Sequence, residues 1–339
     1  MPRLQKITLK DLAEKLNVSA VTVSKALRDH PDISDEMKAR VKQTAEEMGY
    51  IPNMAARHLS ARQTRTIGLV VPKIAHSFFS SLIESIYRYA AEYDYEIVLT
   101  SSQENPDFEQ KHVRTLLSMR VDGILISVTD KTARLPLASL VRENQIPMVQ
   151  IDRTLSSDFS RVVFEDTDGT YRALKKAIDL GYRTFAFVGG NHRLHIARDR
   201  LKGFKKALKE AGLKVHNEFL VQGGFTEQDG YEALMRFKKN NHLPEFIFAA
   251  TYPVALGVVQ AARELGLVIP RDVDLVSFGD SAFNRFINPA ISCVAQDTDR
   301  MALLAVQRII EEIESPEPIP ARLIRIASPF KQKETCRKE

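Results

Sequence analysis

Thr8-Leu9-Lys10-Asp11-Leu12-Ala13-Glu14-Lys15-Leu16-Asn17-Val18-Ser19-Ala20-Val21-Thr22-Val23-Ser24-Lys25-Ala26-Leu27 reads as two short helices about a tight break. Leu9, Leu12, Ala13 and Leu16 recur at i, i+3, i+4 and i+7, one apolar helix face. Thr8 is placed to cap that helix, with Asp11 reaching back from three residues on. Asn17-Val18 interrupts the pattern, and Ser19 is the natural cap of the second helix. There Val23 and Leu27 face inward at i, i+4, which leaves Val21, Thr22 and Lys25 on the outer face. Two short helices, a tight turn and small Ala13 where they cross make a helix-turn-helix, whose second helix enters the major groove of duplex DNA. An exposed Val21 is by itself a stray apolar residue, and Lys25 a solvated charge. Within this motif they suit a thymine methyl and guanine acceptors. Ser19, Thr22 and Ser24, with the helix amide ends, suit phosphates.

Working outward, Arg28-Asp29-His30-Pro31-Asp32 is a polar loop whose proline blocks helical continuation. A third helix starts after Ser34, turns Met37, Val41, Thr44, Ala45 and Met48 inward, and stops at Gly49. The first 65 residues hold twelve basic against eight acidic residues, so most of the chain's net +5 sits there. Beyond Tyr50-Ile51-Pro52, the run Asn53-Met54-Ala55-Ala56-Arg57-His58-Leu59-Ser60-Ala61 has helical composition but is too short to hold alone. A basic strap of that kind suits a segment that orders on DNA.

From Thr66 onward, short β-branched runs at 67–71, 96–100, 123–127 and 147–152 alternate with helical stretches at 77–93, 107–119 and 136–144. The rhythm restarts with strands at 184–190, 218–222, 246–251 and 274–278 and helices near 168–181, 198–212, 227–240 and 253–266. This predicts an all-α head followed by an α/β body of two doubly wound parallel-sheet subdomains, with a cleft at the carboxyl ends of the strands. Phe78 and Phe79 follow the first strand, where bare chemistry makes them core. Asp152 ends a strand and can accept from hydroxyls or pair with Arg153. Asp168 is placed to cap a helix, which alone would account for it.

At 339 residues and 44% apolar, the chain has material for two or three domains. Cys293 and Cys336 alone give neither a disulfide framework nor zinc spacing. Met1-Pro2-Arg3-Leu4-Gln5-Lys6 lacks an apolar signal region and no run is long enough for a membrane span, so the expectation is a cytoplasmic protein without membrane partners. His192 and His195 lack a third ligand nearby, the Gly-Gly pairs make no phosphate loop, and no nucleophile–base set is discernible. No metal or cofactor is expected.

The head resembles that of the lac repressor/galactose repressor (LacI/GalR) family of bacterial transcription regulators, through Thr8 to Leu27, Ser34 to Asn53 and Ala55 to Leu59. The resemblance continues from Ile67-Gly68-Leu69-Val70-Val71-Pro72 to about Pro329 and implies a periplasmic-binding-protein-like body. It implies that Ala20, Val21 and Lys25 read bases, with Thr8, Arg28 and Asn53 among the DNA contacts. It further implies that hinge helices pair in the minor groove, where Leu59 wedges between base steps, Ala55 faces its partner, and Ala56 and Arg57 face the groove. In the body it implies effector contacts at Phe78, Phe79, Ser80, Asp152, Asp168, Arg200, Phe225, Tyr252 and Asp280. Two departures stand out. Thr251-Tyr252 replaces a pair often Asn-Asp, and Gly279 replaces a carboxylate that commonly grips the ligand.

The resulting domain plan is a head at 1–52, a hinge and linker at 53–65, a body at 66–330 and a tail at 331–339. Within the body, 66–164 plus 293–320 form one half and 165–292 plus 321–330 the other. The expected function is a homodimeric repressor of a near-palindromic operator, controlled by a small-molecule effector, a sugar or sugar phosphate. A transport solute-binding protein is disfavoured by the fused head, and an enzyme by the lack of a catalytic set.

Overall fold

The computed structural model describes residues 7–50, 63–129, 132 and 134–336. The chain divides into two compact units, Met1–Thr64 and Arg65–Glu339. In the first, α1 (Leu9–Leu16), α2 (Ala20–Ala26) and α3 (Asp35–Met48) close around Leu12, Ala13, Leu16, Val23, Ala26, Val41 and Ala45. Each start is capped by the residue that the patterning marks. Thr8 and Asp11 form a reciprocal box, Ser19 accepts from the Thr22 N–H, and Ser34 accepts from Met37. Asn17 and Gly49 close α1 and α3 in the left-handed conformation. Ala26 takes the fully buried inward place, and Leu27 packs partly exposed beside it.

The second unit holds two six-stranded sheets. Strands β1 (Thr66–Val71), β2 (Glu96–Ser101), β3 (Gly123–Ile126), β4 (Met148–Ile151) and β5 (Ser160–Phe164) alternate with α4 (Ser77–Glu92), α5 (Pro106–Ser118) and α6 (Arg134–Glu143). After α7 (Asp166–Asp179) come β6 (Phe185–Val188), α8 (His195–Glu210), β7 (Leu220–Val221), α9 (Glu227–Lys239), β8 (Phe246–Ala249), α10 (Tyr252–Glu264) and β9 (Asp274–Phe278). The chain ends through β10 (Ser292–Val294), α11 (Thr298–Glu314), β11 (Leu323–Ile326) and β12 (Phe330–Lys331). The sheet orders are β11-β5-β4-β3-β1-β2 and β12-β10-β9-β8-β6-β7, with every neighbour parallel except β10 and β12. Separate apolar clusters cover both faces of each sheet, so the central strands are buried on both sides.

The sheets divide differently from the domain plan. Cys293 and Val294 lie in β10 of the second sheet, whereas Leu323–Ile326 extends the first sheet by pairing with β5. Helix α11 packs on α4 of the first half. The chain therefore crosses between halves after β5, after β10 and after β11, and these crossings bond one another: Glu165 N–H to Ile326 O at 2.9 Å and Ala295 N–H to Pro329 O at 2.8 Å. The tail is packed against the second sheet through 336. Thr335 and Cys336 are buried, and the Thr335 hydroxyl accepts from Ser292 N–H at 2.8 Å and donates to Leu275 O at 2.5 Å. Residues 337–339 lie outside the described residues.

Candidate functional site

On the head, α2 presents Val21 at 66% exposure, the solvent-facing apolar residue that the patterning singles out. Thr22 shares a 2.8 Å hydrogen bond with the Ser19 hydroxyl, which also accepts from the Thr22 N–H. Arg28 donates to the carbonyl and hydroxyl oxygens of Ser24. Lys25 ion-pairs with Asp32 at 2.7 Å and must release that partner to reach a base. The Thr8 hydroxyl is committed to Asp11 at 2.8 Å. Ala20 packs partly buried against the core. Asn53, Ala56, Arg57 and Leu59, with Ala55 and the hinge helix, lie outside the described residues.

In the body, a cavity of about 170 Å³ opens where the carboxyl ends of strands from both sheets meet. Of the residues named as effector contacts, Phe78, Phe79, Asp152, Arg200, Phe225, Tyr252 and Asp280 line it. Two expected residues do not. Ser80, the residue after Phe79, is exposed and its hydroxyl donates back to Ser77 O. Asp168 is exposed on the outer flank, and α7 starts two residues before it with no side-chain cap. Asp166 is the buried acid at this helix start, and it bonds Arg200 of the lining without lining the cavity itself.

The Arg200 guanidinium is 2% exposed. It donates to Asp166 at 2.7 Å and to Ala250 O at 2.7 Å, and lies 3.8 Å from the centre of the Phe278 ring. Burial pushes the Asp166 carboxyl up to about 7, against the pull of Arg200. Asp152 turns with φ of 57°, a left-handed backbone unusual for a residue with a side chain. Its neighbour Arg153 pairs with Glu104 at 2.8 Å and sits 5.8 Å from the Phe79 ring and 5.3 Å from the Phe225 ring, one ring from each half. Burial raises Asp152, and it also pushes His76 down to about 4 with help from Arg153, so that imidazole is neutral near pH 7.

Gly279 has φ of 90°, and a Cβ there would lie 2.5 Å from Gln296 Oε1. The Gln296 amide thus occupies the space into which a larger residue at 279 would project. Asp280 is neutralised by Lys333 at 2.7 Å and accepts from Asn284 at 2.8 Å. Four buried polar atoms of the lining have no hydrogen-bond partner among the described residues: His76 Nδ1, Glu104 Oε2, Arg153 Nε and the Tyr252 hydroxyl. Such orphans are costly unless a ligand or water meets them. His76, Glu104, Asp166 and Gln296 went unmarked in the sequence, and Arg153 was marked only as a partner for Asp152. The lining offers aromatic faces, hydrogen-bond donors and carboxylates.

Residues 8–53 match the family model for bacterial regulatory proteins of the lacI family, and 174–336 match that for a periplasmic binding protein-like domain. Catabolite control protein A of Priestia megaterium is 30% identical over 94% of this chain and 96% of its own length. The HTH-type transcriptional repressor PurR of Escherichia coli O1:K1 is 30% identical over 92% and 93%. The crystal structure of the lac repressor dimer bound to operator and the anti-inducer ONPF shares the fold, with a TM-score of 0.85, 22% identity, and coverage of 98% of this chain and 99% of that one.

Proposed function

The chain belongs to the LacI family of bacterial regulatory proteins, and from that membership we propose a cytoplasmic homodimer that represses transcription at a near-palindromic operator and answers to a neutral sugar in the body's cleft. It is a sequence-specific DNA-binding transcriptional regulator, and its relatives are regulators rather than enzymes. In the proposed domain plan the head is 1–52 and 53–65 links it to the body. One half of the body is 66–164 with about 296–326, and the other is 166–294 with about 329–336.

The observation that carries the effector reading is the set of four orphaned polar atoms in a lining that also holds Phe78, Phe79 and Phe225. Glu104 and Asp152 accept from hydroxyls and oppose a phosphate, which favours the neutral sugar over the sugar phosphate. A cavity of about 170 Å³ suits a small ring, since an engineered cavity of ~150 Å³ takes up benzene. At the head, Val21 with Lys25 supports base reading, and Leu59 with Ala56 and Arg57 supports a minor-groove hinge. Exposed Phe283 and Phe286, at 68% and 72%, support self-association, because large bare rings mark contact surfaces. Because Arg153 stacks on a ring from each half, a ligand that engages it can change the angle between them. The effect on DNA can be no larger than the ligand's preference for one state.

Selection of duplexes from a random pool by the full-length chain tests this reading. The expected result is enrichment of a two-fold-related half-site whose preference relaxes in Val21→Ala. Recovery of unselected sequence would overturn it.

A further inference from the structure

On the flank of the body, outside the cleft, a wider groove of about 1110 Å³ runs between the two halves. Arg142, Arg161 and Arg325 line its first-half wall, and Arg198, Lys202 and Lys206 its second-half wall. Arg142 is paired with Asp158. The other five cations form no ion pair among the described residues. Of the remaining carboxylates in the groove, Glu165 is held by Arg172 at 3.1 Å and Asp166 by Arg200 at 2.7 Å, which leaves only Asp168 and Asp199. Five cations thus face two carboxylates, and cationic walls repel each other across the opening.

Two further observations point to an anion as the ligand of this groove. Arg161 Nε and His195 Nε2 are buried in this lining without a hydrogen-bond partner among the described residues. Helix α8 also starts at the groove with no side-chain cap and no acid in its first turn. The local potential is positive enough to register on His195, which burial and then Arg200, Arg198, Arg161 and Arg153 push down to about 4.

We propose that this groove binds a small organic phosphate that bridges the two cationic walls, as a second regulatory ligand beside the one in the cleft. Phosphate offers three oxygens to guanidinium forks from both walls and to the open amides of α8, which a single carboxylate does not satisfy together. Its entry removes the repulsion between the walls and so favours approach of the halves. The binding claim stands apart from the sugar reading of the cleft. Only its regulatory consequence rests on the chain being a repressor.

Calorimetric titration of the full-length chain with pyrophosphate, glucose 6-phosphate and glucose, in salt of about 0.15 M, tests the claim. The expected result is one saturable site per chain for the phosphates, at about 1 mM or tighter, that glucose does not fill. The double variant Lys202→Glu/Arg325→Glu alters two exposed side chains and should weaken that site at least tenfold while melting as wild type does. Lys25→Ala in the head and Phe225→Ala in the cleft should leave it unchanged. Absence of a saturable site, equal affinity in the groove variant, or loss in either control variant would overturn the proposal.

Discussion

Arg153 shows what a single residue contributes here and why the sequence hides it. Its position after Asp152 is local and suggests a simple pair, yet that contact is 4.0 Å, while Glu104, Phe79 and Phe225 are brought to it by folding. Arg153→Gln should weaken ligand retention in the cleft by roughly tenfold to a hundredfold, the loss of one charge-assisted hydrogen bond of ~1.5–3 kcal/mol. Unchanged retention by mass spectrometry would remove Arg153 from the site. Asp166 was hidden for another reason. Glu165-Asp166-Thr167-Asp168 offers three acids at one helix start, and only the depth of Arg200 selects among them. Glu109 on α5 is 1% exposed and accepts from Thr129 N–H and the Thr132 hydroxyl, at 2.7 and 2.5 Å. Burial raises its carboxyl from 4.5 to about 7. The native state therefore binds this proton more tightly than the unfolded chain does. Its contribution is full below pH 4.5 and is lost as pH rises toward 7. Relative to Glu109→Gln, wild type should lose up to about 3 kcal/mol across that window, at ~1.4 kcal/mol per unit. Denaturant melts showing a pH-independent difference would contradict this.

At the scale of elements, the head was legible because its signals are local. Caps, breaks and the 3.6-residue stripe lie within a few positions of each other, and Thr8, Ser19, Ser34 and Gly49 act where the patterning puts them. Ser19→Ala removes the cap of α2 and should lower head stability by about 1 kcal/mol, read by thermal melting of the full chain. An unchanged head transition would show the cap to be idle. In the body the interior strands were legible as β-branched runs. Strands β11 and β12 were not, because they draw their partners, β5 and β10, from distant sequence, and β5 and β10 were likewise not marked. The packing of α9 on α10 was equally silent. A Cβ at Gly230 would meet Val254 O at 1.9 Å, and one at Gly257 would meet Glu227 O at 1.7 Å, so backbone touches backbone there. Gly257→Ala must push the helices apart and should cost about 1–3 kcal/mol. A denaturant midpoint equal to wild type would show that the crossing yields freely.

For the whole molecule, the α/β class and the cleft at the strand ends follow from alternation alone, while the three crossings between halves do not. Those crossings matter because they carry the chain between the halves among the described residues, and Arg200, in the lining of the cleft, bonds Asp166 directly after the first of them. Under the proposed function, cleft occupancy and operator binding are one equilibrium. Linkage then requires each ligand to change the other's affinity by the same factor. The most direct measurement is operator affinity by fluorescence anisotropy, with and without a saturating cleft sugar, paired with sugar affinity in the presence and absence of operator. Equal factors in the two directions, several-fold or larger and lost together in Arg153→Gln, are predicted. A sugar that fills the cleft and leaves operator affinity unchanged would contradict the claim.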